Sequence, residues 1–376
     1  MRIGIEAQRI FRKNKHGMDY VVLQEILQLQ KMDHENEYFV FVKPGPDRCV
    51  KDSEHVHVIE IDTPSYPLWE QYALPKAAKK ARVDLLHCTS NTAPIRCDIP
   101  LVLTLHDIIF LEPRDKQNKS LYQNMGWLYR RLVVPRILDK CRRIITVSNF
   151  ELNNIVGKLN IPRQRMAMIY NGYNDWFHPL EDDKEVYKKY IPEKGFLFFL
   201  GNTDPKKNTE RTLVAYSRYL ERSNVKRPLL MADLDREYLN GIISRNHIEN
   251  IREKIRMPGY IPNSDLPYIY NGAFAFLYTS LRESFGIPLL EAMACGTPVV
   301  TSNTSSMPEI GGQEAILVDP TRADDITNAL IRLETDETFL QQQKSWGLRR
   351  AQLFSWRKTT EQLLELYQEV MRKKGA

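Results

Sequence analysis

Short runs of β-branched and aromatic residues alternate with amphipathic stretches along the first half of the chain. The apolar runs, each bounded by turn residues, predict six strands: "RIGIEA", "EYFVFV", "HVHVIEI", "VDLLHC", "PLVLTLHD" and "RIITVS". Amphipathic spacing predicts helices between several of them, at residues 17–31, 67–81 and 119–140. Strands that alternate with helices predict βαβ units, and therefore a parallel sheet.

The second half repeats this rhythm with six further runs: "FLFFLG", "RPLLMA", "KIRMPG", "AFAFLYTS", "TPVVTS" and "EAILVD". A polar, proline-punctuated seam at residues 171–195 separates the halves. We therefore expect an α/β fold of two doubly wound, Rossmann-like domains that face each other across a cleft. The predicted bounds are residues 1–175, residues 176–355, and a C-terminal helix at 356–376 that braces both domains.

Local signals support this division. Ser148 followed by Glu151 is a capping box that predicts a helix start. Pro288 suits a first helical turn, and Gly296 is placed to end the same helix. Asp235 in "DLD" is read as the start of a helix rather than part of a metal site.

Composition narrows the class of protein. With 376 residues, 43% hydrophobic and 27% charged, the chain is typical of a globular protein of two domains. No apolar run approaches the roughly 20 residues of a membrane span, and no signal peptide is evident. The five scattered cysteines, without a C-x-x-C pair, argue against a disulfide framework or a zinc site and favour a cytoplasmic location.

The formal net charge of +6 makes the chain mildly basic, without any motif for nucleic acid. Basic residues are concentrated at 129–143, and the amphipathic run 119–140 overlaps this stretch. A solvated helix face is one interpretation. The other is attraction to an anionic ligand or lipid surface, which would make the protein peripheral at the inner face of a membrane.

The stretch "RESFGIPLLEAMACGTPVV" carries the most specific chemistry. A helix that follows a parallel strand presents free amides and a positive dipole end, which bind anions, and Gly286 permits close approach to the backbone. Glu291 lies about one turn inside this predicted helix, where a carboxylate can accept hydrogen bonds from a vicinal diol. Glu283 precedes the helix, near the same cleft.

A second anion site is predicted at "FLFFLGNTDPKKNTERTLVAY". The strand ends at Gly201, the pair Lys206 and Lys207 follows a turn, and Asn208 is placed to cap the next helix. Lys207 at this junction adds a point charge to the helix amides. The spacing is not that of a Walker A loop.

In the first half, His106 and Asp107 end a buried strand in "PLVLTLHD". Both side chains can hold sugar hydroxyls or move protons, and we take both as catalytic candidates together with Glu283 and Lys207. Gly17, before the first helix, is another point where a ligand could approach the backbone.

These motifs together resemble family 4 of the retaining glycosyltransferases, which have the GT-B fold. The strongest match is the E-x7-E motif from Glu283 to Glu291, and "LGNTDPKKN", "LTLHD", "TVSNF" and "YNGY" follow the order seen in many members. The resemblance covers almost the whole chain. It implies a nucleotide-sugar donor bound mainly by the second domain and a glycan or lipid-linked acceptor bound mainly by the first.

The resemblance also implies roles for single residues. Lys207 would hold the diphosphate and Glu291 the ribose hydroxyls, whereas Glu283 would contact the transferred sugar. His106 would face that sugar from the opposite domain. The remaining implied donor contacts are Gly17, Gly201, Asn202, Lys206, Tyr260, Ile261, Ser284, Phe285, Gly286 and Ile287.

Two positions depart from the family pattern. Asn202 stands where many relatives have an arginine, so one phosphate charge is missing or comes from Lys206. His16 and Gly17 replace paired glycines. Both departures bear on phosphate binding rather than on the class of reaction.

The expected reaction is hexosyl transfer by front-face displacement, in surface polysaccharide or glycoconjugate synthesis. No clustered Asp and His residues suggest a metal, so we expect activity without a cofactor or metal ion. A sugar-nucleotide epimerase or a phosphorylase of the same fold is one alternative. A non-enzymatic module that binds an anionic surface is another.

Overall fold

The computed structural model describes residues 1–15, 17–112, 121–181 and 185–372, with the side chains of 121–123 excepted. At His16, at Lys119 and at residues 120, 182–184 and 373–376, the sequence predictions lie outside these ranges. The chain divides into two compact units, Met1–Asn171 with Trp356–Ala376 and Gly172–Ser355, called unit 1 and unit 2 below. Each unit contains a parallel sheet covered by helices.

Unit 1 has a seven-stranded sheet of order β3-β2-β1-β4-β5-β6-β7, in which every pair is parallel. Its strands are β1 (Arg2–Glu6), β2 (Glu37–Val42), β3 (Val56–Glu60), β4 (Leu85–Cys88), β5 (Leu101–Thr104), β6 (Cys141–Thr146) and β7 (Met166–Met168). The chain grows outward from β1 through β3 and then returns to add β4 on the other side. The gap between the loops after β1 and β4 is therefore a switch point of the topology.

The described helices of unit 1 are α1 (Gly17–Met32), α2 (Tyr66–Leu68), α3 (Leu74–Lys80), α4 (Leu121–Ile137), α5 (Asn149–Leu159) and, at the C-terminus, α13 (Trp356–Arg372). A π-helical turn, Trp69–Ala73, joins α2 to α3. The predicted cap of α5 is confirmed, because the Ser148 hydroxyl accepts a hydrogen bond from the amide of Glu151 at 3.2 Å.

The C-terminal helix α13 belongs to unit 1. Its buried residues Leu363 and Val370 share a hydrophobic cluster with Ile3 of β1 and Val22 of α1. Unit 1 ends four residues earlier than the predicted boundary after residue 175. That α13 braces both units stays a prediction.

Unit 2 has a six-stranded parallel sheet of order β10-β9-β8-β11-β12-β13. Its strands are β8 (Phe196–Leu200), β9 (Leu229–Ala232), β10 (Ile255–Arg256), β11 (Ala273–Tyr278), β12 (Val299–Ser302) and β13 (Ile316–Val318). Its described helices are α6 (Thr209–Arg222), α7 (Arg236–Asn246), α8 (Leu266–Gly272), α9 (Ile287–Ala294), α10 (Met307–Gly311), α11 (Ala323–Thr335) and α12 (Glu337–Ala351). The switch point of this sheet lies between β8 and β11.

Helix starts in unit 2 follow the sequence with one exception. Asp235 caps α7 by accepting from the amides of Glu237 and Tyr238 at 2.7 and 3.0 Å, as predicted. The predicted cap by Asn208 is wrong. Asn208 stands before α6 in the left-handed conformation, and its side-chain amide donates instead to the carbonyls of Thr279 and Pro320 at 3.0 and 2.7 Å. These two hydrogen bonds connect the start of α6 to the loops that follow β11 and β13.

Candidate active site

Two loops leave the sheet of unit 2 at its switch point, one after β8 and one after β11. They carry most of the predicted donor residues, Gly201–Asn208 on the first and Ser280–Gly286 on the second. The loops are joined directly, because the amide of Leu281 donates to the carbonyl of Lys206 at 2.6 Å. Open parallel sheets bind ligands at such a point, so the fold places these residues where a site is expected.

Lys207 and Glu283 form an ion pair between the two loops. The Lys207 Nζ lies 2.6 Å from the Glu283 Oε1, and their side chains are 28% and 12% exposed. Nζ also lies 5.9 Å from the centre of the Tyr278 ring. Burial, followed by the charge of Glu283 and a hydrogen bond to it, raises the pKa of Tyr278 well above its usual value. The cation and the acid therefore form one partly buried pair beside Tyr278.

Gly286 immediately precedes α9, in a conformation that only glycine adopts without strain. Its φ is +104°, and a Cβ there would lie 2.6 Å from the Cε of Met307. Within the described part of the chain, the backbone amides of Gly286 and Ile287 donate to no protein acceptor. Pro288, in the first turn of α9, has no amide to offer. Two donors at a positive helix end are thus open to an anion.

Two serines that no sequence motif marks hold this loop in place. The Glu283 amide donates to the Ser305 hydroxyl at 3.1 Å. The Ser306 hydroxyl donates to the carbonyls of Glu283 and Phe285 at 3.0 and 3.1 Å. The Phe285 ring is buried against Phe354, with ring centres 6.0 Å apart. The backbone on both sides of Ser284 is therefore fixed before any ligand binds.

Glu291 lies on the fifth position of α9, and the hydroxyl of Tyr270 donates to its Oε2 at a long 3.5 Å. Burial raises the pKa of Glu291 to about 8, and the hydrogen bond from Tyr270 only partly opposes this. Without a ligand the carboxyl is therefore mainly protonated at neutral pH, in contrast to the ionised carboxylate expected from the sequence. A ligand that donates hydrogen bonds to it would favour ionisation.

The loop after β8 is shaped by its own polar groups. A Cβ at Gly201 would lie 2.9 Å from the Ala232 carbonyl oxygen, so the strand end admits no side chain. The Asn202 side chain accepts from the amide of Asp204 at 2.8 Å. The Lys206 Nζ lies 3.6 Å from the Asp204 Oδ2, with both side chains about one-third exposed or more. Lys206 is therefore already paired within this loop.

Tyr260 and Ile261 follow β10 on the same edge of the sheet. Ile261 is buried, whereas 67% of the Tyr260 side chain is exposed. The preceding Gly259 has φ +81°, and its carbonyl accepts from the amide of Asp233 at 3.1 Å. Of these two predicted donor contacts, only Tyr260 is exposed.

In unit 1, His106 follows β5 and is held from two sides. Its amide donates to the Asn91 Oδ1 at 2.7 Å, and its Nε2 bonds the Thr89 carbonyl at 3.0 Å. Burial lowers the pKa of His106, against the opposing effects of the Thr89 carbonyl and the Asp107 charge. A neutral ring that donates from Nε2 leaves Nδ1 as an acceptor for a hydroxyl.

Asp107 and Gly17 have simpler surroundings. The Asp107 carboxylate accepts from the amide of Ile109 at 3.0 Å and starts a 3₁₀ turn, so it has a structural task whether or not it acts in catalysis. Gly17 is exposed at the first residue of α1, and a Cβ there would meet nothing within 4 Å. Protein packing alone therefore does not require glycine at position 17.

Among the described residues, no group of three or more His, Cys, Asp or Glu side chains is arranged to hold a metal ion. The same ranges contain no helix long and apolar enough to cross a bilayer.

Residues 182–352 match the family described as glycosyl transferases group 1, and residues 16–176 match glycosyltransferase family 4. The chain is 31% identical to O-antigen chain mannosyltransferase B of Escherichia coli over 71% of its own length and 69% of that protein. The protein therefore belongs to the group 1, family 4 glycosyltransferases, as the resemblance in the sequence indicated. It catalyses glycosyl transfer as a member of that family.

Other relatives differ in length or in sequence. The serotype-specific mannosyltransferase WbdA of Escherichia coli is 28% identical over 73% of this chain, which spans only 34% of that longer protein. The structure of HepE from Anabaena in complex with UDP-glucose superimposes with a TM-score of 0.76 at 16% identity, covering 98% of this chain and all of that one. This likeness confirms the predicted GT-B fold.

Proposed function

We propose that the protein is a retaining hexosyltransferase that moves mannose from a nucleoside diphosphate mannose to a glycan or lipid-linked acceptor in surface polysaccharide synthesis. The mannosyl donor is supported by the names of the two Escherichia coli relatives, which are mannosyltransferases. The nucleotide-linked form of the donor is supported by HepE, whose structure contains UDP-glucose.

The observation that carries the proposal is the Lys207–Glu283 pair beside the open amides of Gly286 and Ile287. Without a ligand, Glu283 neutralises Lys207. A bound diphosphate brings more negative charge than one carboxylate, so it draws the ammonium and accepts from the two amides. Glu283 is then available to accept hydrogen bonds from the hydroxyls of the transferred sugar.

The proposed reaction breaks the bond between the anomeric carbon and the diphosphate oxygen. The acceptor hydroxyl forms its bond to the same face of that carbon, and its proton passes to the departing phosphate oxygen. Lys207 and the α9 amides stabilise the charge that develops on the leaving group. The Nδ1 of neutral His106 accepts a hydrogen bond from a sugar hydroxyl. This bond positions the sugar without transferring a proton.

The other predicted contacts complete the donor site in this proposal. Glu291 accepts from the ribose hydroxyls, and Tyr260 stacks on the base above Ile261. The backbone at Gly201 and Asn202 lines the diphosphate, and Gly17 stays a proposed donor contact.

We also propose that the transfer needs no metal ion, because Lys207 and the helix amides supply the positive charge that a metal would provide. Assays with and without EDTA test this point. Equal rates are expected, and loss of activity that added Mg²⁺ or Mn²⁺ restores would contradict it.

The experiment that tests the function is a transfer assay of the purified chain with GDP-mannose, UDP-glucose and UDP-galactose, each with and without mannosylated acceptors. We expect product only with the mannose donor and an acceptor, and an α-linkage in the NMR spectrum of the product. Conversion of the donor without any acceptor would instead indicate an epimerase. No turnover of any donor would leave the surface-binding alternative.

A further inference from the structure

The outer face of helix α4 in unit 1 is apolar. Met125, Leu128 and Leu132 are 62%, 53% and 49% exposed, and their spacing of three and four residues places them in one stripe. The opposite face buries Val133, Val134 and Ile137 in the core of unit 1. A surface helix of a globular protein normally exposes polar residues, so this apolar stripe indicates an interaction surface.

Arginines border the stripe on both sides. At about 100° per residue, Arg131 falls on one side of Leu128 and Leu132, and Arg136 on the other. Arg131 lies over the Trp127 ring, 4.6 Å from its centre, and Arg136 donates to the Leu132 carbonyl at 2.5 Å. No acidic residue occurs from residue 124 to residue 138.

A neighbouring element extends the apolar character of this surface. The Tyr129 hydroxyl of α4 donates to the Glu70 Oε2 at 2.5 Å, which fixes α4 beside the segment 66–73. That segment exposes Leu68 and Tyr72. Of the nine exposed large hydrophobic side chains in the described ranges, five lie on these two joined elements.

Charge is distributed unevenly between the two units. The sequence of unit 1 contains 31 Lys and Arg against 22 Asp and Glu, whereas unit 2 contains 22 against 25. The positive excess of the whole chain therefore resides in the unit that carries the apolar stripe. An anionic surface would attract this unit at long range and contact the stripe at short range.

We propose that the outer face of α4, with Met125, Leu128 and Leu132 between Arg131 and Arg136, docks on an anionic phospholipid bilayer. The three apolar side chains enter the boundary between headgroups and acyl chains, and the guanidinium groups contact lipid phosphates. Both signals are needed, since three side chains alone bury little area. This docking is independent of the proposed sugar donor and acceptor.

Sedimentation of the full-length protein with vesicles tests the proposal. We expect binding to vesicles of equal parts phosphatidylglycerol and phosphatidylcholine, weakening as salt is raised, and little binding to phosphatidylcholine alone. Leu128→Ser and Leu132→Ser should each lower the partition constant about tenfold. Arg131→Gln and Arg136→Gln should each lower it about fivefold. All four sites are exposed, so thermal unfolding should not change.

Matched controls come from unit 2. Val225 and Leu353 are 54% and 56% exposed, and Val225→Ser, Leu353→Ser and Arg236→Gln should leave binding to the anionic vesicles unchanged. Equal binding to both kinds of vesicle, or equal losses in the control variants, would overturn the proposal. So would a dimer in light scattering that Leu128→Ser dissolves while no vesicle binding is seen, since the stripe would then contact a second copy of the chain.

Discussion

Glu283 and Lys207 neutralise each other when no donor is bound, so removing either one changes the charge that the diphosphate meets. Glu283→Gln frees the ammonium for the diphosphate but removes an acceptor for the sugar hydroxyls. We therefore expect kcat to fall about 100-fold while the KM for the donor stays level or falls. Lys207→Ala should lower kcat as strongly and also raise the KM for the donor.

Steady-state kinetics with the donor varied separates these effects. Lys206→Ala is the matched control, because that lysine pairs with Asp204 in the same loop. It should change kcat/KM by less than about tenfold. A rise in donor KM for Glu283→Gln, without loss of kcat, would contradict the assignment of Glu283 to the transferred sugar.

Glu291 should make donor binding depend on pH. Burial raises its pKa to about 8, whereas hydroxyls that donate to it favour the ionised form. Binding then releases a proton below pH 8, so donor affinity should rise by up to about tenfold per pH unit from pH 6 and level off above 8. Calorimetric titration at several pH values measures this slope.

Glu291→Gln should bind the donor more weakly and without this slope. Glu25→Gln is the control, because burial also raises the pKa of Glu25 in unit 1 to about 8. The slope should survive in that variant. An unchanged slope in Glu291→Gln would show that another group releases the proton.

The residues found from the sequence are those whose type carries the chemistry. An E-x7-E spacing at a strand-to-helix junction and a lysine at another such junction are local patterns, so Glu283, Glu291 and Lys207 could be singled out. Ser305, Ser306 and Tyr278 could not, because they act through tertiary contacts with the Glu283 loop. The burial that protonates Glu291 is equally a property of the fold.

At the scale of elements, the start of α9 joins a strained backbone to an open anion site. Gly286→Ala would force φ +104° on an alanine and bring its Cβ against Met307. We expect a loss of about 1–3 kcal/mol in the free energy of unfolding. A loss of donor binding should accompany it, because the α9 amides would shift.

Gly259→Ala separates strain from contact. Gly259 also has positive φ, +81°, but a Cβ there would meet nothing within 4 Å. This control should lose about 1 kcal/mol of stability. Urea unfolding and donor titration of both variants measure the difference. Normal donor binding by Gly286→Ala would argue against the α9 terminus as the phosphate site.

The elements themselves were largely predictable. Twelve strands stood out because buried parallel strands are continuous apolar runs. The thirteenth, β7, consists of Met166, Ala167 and Met168, so it lacks the β-branched and aromatic residues by which strands were recognised. The predicted cap at Asn208 was wrong although asparagine is a common capping residue. Its backbone is left-handed, and its side chain donates to two other loops.

At the scale of the molecule, the two units differ in how their chains are composed. Unit 2 is one continuous segment, whereas unit 1 needs α13 from the far end of the sequence. The alternation of strands and helices predicted two sheets of the same kind. It could not show which sheet α13 covers, because the amphipathic pattern of a helix does not specify the surface against which it packs.

Because unit 1 is discontinuous in sequence, its stability should depend on α13. The buried His87 bonds the Tyr367 hydroxyl of α13 through Nδ1 at 2.7 Å and the Thr104 hydroxyl through Nε2 at 2.7 Å. Without α13, the cluster that Leu363 and Leu366 cover is exposed to water, and His87 loses a partner. We expect a fragment of residues 1–171 to lose several kcal/mol of stability and to unfold without cooperativity.

Residues 172–355 should instead fold alone and bind the nucleotide-sugar donor, since both loops of the switch point lie within them. Joining residues 356–372 to the 1–171 fragment through a flexible linker should restore cooperative urea unfolding. Tyr367→Phe in that linked fragment removes only the hydroxyl and should cost about 1–2 kcal/mol. If the fragment 1–171 unfolded at the same urea concentration with and without α13, the helix would not be part of the unit 1 core.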